Sequence, residues 1–139
     1  MKPSGRLIAR FSIRPDLPET PAQVFAELAA GRIGGFNTFK WRLVVAVHGD
    51  NPDGVRLGDV WSAWRKSGVD AERLANERCW PLAVIQTIDA YQDAPIRYFL
   101  PRAEELHALI GERLREIACH TPGYEGGSSY RIIALERPE

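Results

Sequence analysis

His48 is followed closely by Asp50 and Asp53. An imidazole beside two carboxylates is a set that a general base or a metal site draws on. Glu125 sits in the glycine-rich stretch 121–129, where a closing loop would bring a third carboxylate to them. Such a set would serve a small hydrolase or a metal-assisted nuclease. The same run, Gly49-Asp50-Asn51-Pro52-Asp53-Gly54, is also what a turn requires for local reasons, because Asx side chains bond nearby backbone. The turn reading takes precedence, and an enzyme using His48, Asp50, Asp53 and Glu125 stands second.

Cys79, His107, Cys119 and His120 are of zinc-ligand type. Paired Cys-x₂-Cys or His-x₃-His steps are absent. Cys79, beside Trp80, is therefore expected to fill core, and His120 to serve a helix end, where it can bond free carbonyls. No metal and no cofactor are assigned.

Trp41, Trp61, Trp64 and Trp80 cluster between positions 41 and 80, with Arg32, Lys40, Arg42 and Arg65 around them. Trp61 and Trp64 are three apart and share a face if that segment is helical. Packed on a sheet they are core. Exposed, Trp41, Trp61, Trp64 and Arg65 form an aromatic surface for a protein partner or a second copy of the chain. With the flanking cations the same surface would stack RNA or single-stranded DNA bases, a third reading and not the favoured one.

Elements must position these groups. Period-two alternation marks a strand over 6–13. Thr20-Pro21 opens a helix that Gly31 closes. Residues 43–47, Leu-Val-Val-Ala-Val, read as a strand buried on both faces. Asp59 and Asp70 each precede a short helix, giving a helical insertion at about 58–80. Residues 82–91 read as a third strand, 102–119 as the longest helix and 130–136 as the last strand.

The order is β-α-β-(αα)-β-α-β. Without the insertion it is the ferredoxin-like pattern: one four-stranded antiparallel sheet with helices on one face. Another α+β sandwich is the alternative. With 139 residues the expectation is a single α+β domain.

Charge is balanced at 18 basic and 18 acidic residues, which argues against binding nucleic acid through net charge alone. No stretch approaches the ~18 apolar residues of a membrane span. The first fifteen residues are interrupted by Lys2, Arg6, Arg10 and Arg14, unlike a signal peptide, and two cysteines are too few for a disulfide framework. A cytoplasmic setting is expected. Together these features point to a small non-catalytic binding module that self-associates or docks a protein partner through the free face of its sheet and the aromatic surface of the Trp61/Trp64 insertion.

Overall fold

The computed structural model describes residues 5–123 and 129–138. The chain forms two compact units. One spans Pro18–Phe99, and the other is built from the two flanking segments, up to Leu17 and from Leu100.

The Pro18–Phe99 unit is mainly helical. Its first helix, α1 (Pro21–Ala29), starts as the sequence suggests. Thr20 Oγ1 accepts from the Gln23 amide at 3.2 Å, and the Gln23 side chain accepts from the Thr20 amide at 2.8 Å, a reciprocal capping box. Helix α2 (Phe36–His48) replaces the strand expected at 43–47. Phe36, Phe39, Leu43 and Ala46 recur at steps of three and four, and all are buried. Near its C-terminus the helix is apolar all round, and there periodicity cannot distinguish it from a buried strand. Packing of the long stripe overrides the strand preference of the valines, which is worth at most about 1 kcal/mol per residue.

Strand β2 (Val55–Arg56) pairs antiparallel with β3 (Arg97–Tyr98). Between them lie α3 (Leu57–Lys66) and α4 (Ala71–Arg78), where the sequence places helices. They are followed by α5 (Leu82–Ile85) and a 3₁₀ turn over Gln86–Tyr91. The strand expected at 82–91 is therefore helical. Leu82, Ile85 and Ile88 are three apart, the repeat of a 3₁₀ turn, and Ile85 and Ile88 are 0% and 1% exposed. One core joins these helices through Phe36, Phe39, Leu43, Val60, Trp64 and Ile88.

The other unit is a helix on a sheet. Strands β1 (Arg6–Ser12), β4 (Arg115–His120) and β5 (Tyr130–Glu136) form an antiparallel sheet in the order β1-β5-β4. The helix expected over 102–119 is divided: α6 covers Ala103–Gly111, and Arg115–His120 is strand. Gly111 weakens helix continuation. Beyond it, pairing with β5 supplies the backbone bonds, a long-range gain that local spacing does not reveal. Helix α6 packs through Ala103, Leu106 and Ile110 on Ile133 and Leu135. The architecture is α+β, as expected, but the larger sheet has three strands rather than four. The ferredoxin-like order is not found, because two of its strands are helical and its last helix is half strand. No helix among the described residues is long and apolar enough to cross a membrane.

Candidate functional site

His48 ends α2 and is 1% exposed. Its Nδ1 lies 2.9 Å from the Gly49 carbonyl, and its ring packs 5.7 Å from that of Phe99. The loop beyond it is an Asx turn. The Asp53 amide donates to Asn51 Oδ1 at 2.9 Å and the Gly54 amide to the Asn51 carbonyl at 3.0 Å. Gly54 has φ +80°, and a Cβ there would fall 2.1 Å from the Tyr98 carbonyl oxygen, so the loop runs hard against β3. Asp50 and Asp53 are exposed while His48 is sealed in. Glu125 lies outside the described residues.

Trp64 is 6% exposed and belongs to the core. Its ring stacks on Phe25 at 6.5 Å and meets Phe36 and Phe39 at 5.6 and 5.7 Å. It is therefore not a docking surface, because α3 turns that side inward to cover α1 and α2. Trp61 is half-buried and donates through Nε1 to Asp89 Oδ1 at 3.3 Å, with the Arg65 guanidinium 5.6 Å from its ring. Trp41 is half-buried against the same core. The cations of the nucleic-acid reading are engaged locally. Arg42 holds Glu19 at 2.8 Å, and Arg32 holds Glu27 at 2.8 Å. That bond lowers the Glu27 pKa and raises that of Arg32. Lys40 donates to Thr87, and burial lowers its pKa.

The second unit brings together what sequence spacing kept apart. His107 on α6 and Glu116 and Cys119 on β4 place one ligand-type atom each within 4.8 Å of one another. His107 Nδ1 is 2.5 Å from Glu116 Oε2. The Cys119 thiol is free and exposed, and the His107 and Glu116 side chains are about one-third exposed. Among the described residues, His48, Asp50 and Asp53 are not gathered into a group of this kind.

The register explains the convergence. Glu116 pairs with Leu135 and Cys119 with Ile133, while the register shifts between Glu116 and Ala118. In a regular strand, residues three apart face opposite ways. The extra residue of the bulge puts both on the face that α6 covers. That signal is tertiary. Cys79, expected in the core, is instead the exposed left-handed cap of α4, with φ +55°. His120, expected at a helix end, lies exposed on β4 opposite Ile132.

The opposite face of the sheet is open. Its middle row is Ile8, Ala134 and Ala118, in register across β1, β5 and β4. Ile8 is 74% exposed. Arg6, Glu136 and Arg115 form the row on one side, with Glu136 ion-paired to both arginines. Arg10, Ile132 and His120 form the row on the other, with the Arg10 guanidinium 3.7 Å from the Tyr130 ring centroid. The chain matches no protein-family model, no curated protein and no solved structure.

Proposed function

We propose that this chain is a small, cytoplasmic, non-catalytic binding module that self-associates through the free face of the β1-β5-β4 sheet. The observation that carries the reading is the row Ile8, Ala134, Ala118. It sets a projecting side chain beside two small ones. A two-fold axis through the row would seat each Ile8 on the alanines of the other copy, an isologous contact at the usual sheet spacing of about 10 Å. Full burial of one isoleucine is worth about 1.5–3 kcal/mol, and the symmetry counts it twice. Two free, exposed cysteines suit a reducing compartment. Burial of His48 weighs against its use as a base open to solvent.

Light scattering across a concentration series tests the proposal. The native chain should dimerise, and Ile8→Glu should be monomeric with its unfolding temperature unchanged, because Ile8 is so little buried within its own chain. A native chain that stays monomeric at every concentration would sink the idea. Added salt should tighten the dimer, since Arg6, Arg10 and Arg115 outnumber Glu136 on the face and their repulsion is screened. Nucleic-acid binding through phosphate contacts would weaken with salt instead.

A further inference from the structure

The covered face of the same sheet carries a separate site. We infer that His107, Glu116 and Cys119 bind zinc or a similarly borderline-soft divalent cation. The three donors are unlike, a nitrogen, an oxygen and a sulfur, and they come from two elements packed on each other. A thiolate beside an imidazole selects zinc-like ions over magnesium and calcium, which take oxygen.

The placement of the donors is built into the fold. Glu116 and Cys119 stand opposite Leu135 and Ile133, which are 1% and 0% exposed. Apolar residues would extend that face, and polar ones stand there instead. The bulge after Glu116 turns both toward α6, and His107 lies one helical turn from Ala103 on the side that packs on the sheet. With bonds of about 2.0–2.3 Å, a tetrahedral ion holds neighbouring donors roughly 3.3–3.8 Å apart. The 4.8 Å span of the set closes to that by rotation of partly exposed side chains. The short His107–Glu116 contact opens by about 1 Å as the ion takes the place of the proton between them. The Cys119 thiol gives up its proton to solvent as the sulfur–metal bond forms. With three ligands among the described residues, the fourth position falls to water, the arrangement of an open site.

Cobalt(II) titration of the full chain, followed by displacement with zinc, tests the inference. The native chain should show the visible bands of tetrahedral cobalt and a sulfur-to-cobalt charge-transfer band, with both lost on adding zinc. Cys119→Ser should abolish the charge-transfer band, and Cys79→Ser should leave it intact. His107→Gln and Glu116→Gln should each weaken binding by at least about 100-fold, since loss of an outer partner alone costs 10–100-fold. A native chain without the bands, a band that survives in Cys119→Ser, or one that vanishes in Cys79→Ser would overturn the assignment. Cys119 is exposed, so its serine variant folds and decides the matter even if a His107 variant does not. The site stands independently of self-association, and Cys119→Ser should leave the dimer unchanged.

Discussion

His48 and His107 sit in opposite surroundings. His48 has carboxylates close by in sequence, yet it is sealed at the end of α2 with its ring against Phe99. His107 has no sequence neighbour of metal-site spacing, yet it meets a carboxylate and a thiol from another element. Polar density along the chain marks a turn in the first case, where the Asn51 side chain and the chain's own amides satisfy each other. Convergence in space requires strand register, and a single bulge supplies it in the second. The two units differ as well: one packs aromatic rings into a core, and the other sets a three-stranded sheet against a single helix.

Loss of packing in the aromatic core costs the protein most. Trp64→Ala should destabilise the protein by about 3–5 kcal/mol through the cavity it leaves among Phe25, Phe36 and Phe39. Denaturant unfolding measures this. A loss below about 1 kcal/mol would mean that Trp64 is not core. Gly54→Ala follows, at about 2–4 kcal/mol, because it combines a left-handed backbone with a clash on the Tyr98 carbonyl.

Replacing each histidine sharpens the contrast. His48→Ala should cost about 2 kcal/mol of stability and leave cobalt binding intact, since a buried ring and its polar contact are lost. His107→Ala should do the reverse, holding stability within about 0.5 kcal/mol while binding fails. Equal effects of the two variants on binding would remove the distinction.

Acid pH acts more weakly, through a surface ion pair. Arg32 lowers the Glu27 pKa, so the pair adds stability above the usual carboxylate range, and that stability is lost as pH falls through the folded value. Glu27→Gln should flatten this acid limb in urea midpoints measured across pH. An unchanged limb would show that the pair contributes nothing.

Legibility in the sequence followed the range of the forces. Helices α1 and α4 carry their own signals, Thr20 with Pro21 and Asp70, and form where those point, whereas α3 starts at Leu57 and holds Asp59 within its first turn rather than ahead of it. Strands β1 and β5 alternate or run apolar between turn formers and also keep their places. Helix α2 was illegible as a helix because burial on most sides erases periodicity over 43–47. Strand β4 was hidden by Leu114 and Ile117, which continue a helical stripe beyond Gly111 although the segment pairs with β5. His107 and Cys119 stand out as ligand types in the sequence, but Glu116 does not, and the bulge that joins it to Cys119 has no local signature. A sheet with one free face is expected from the sequence, but the strands that form it, β1-β5-β4, are not those of the four-stranded pattern.

Hydrogen exchange at low and high protein concentration reads self-association strand by strand. If the sheet face is where copies of this chain meet, amides of β1 and β4 should become more protected as concentration rises, while those of α2 and α3 stay constant. Protection that rises instead around Trp61 and Trp41, or that does not depend on concentration anywhere in β1 and β4, would contradict it.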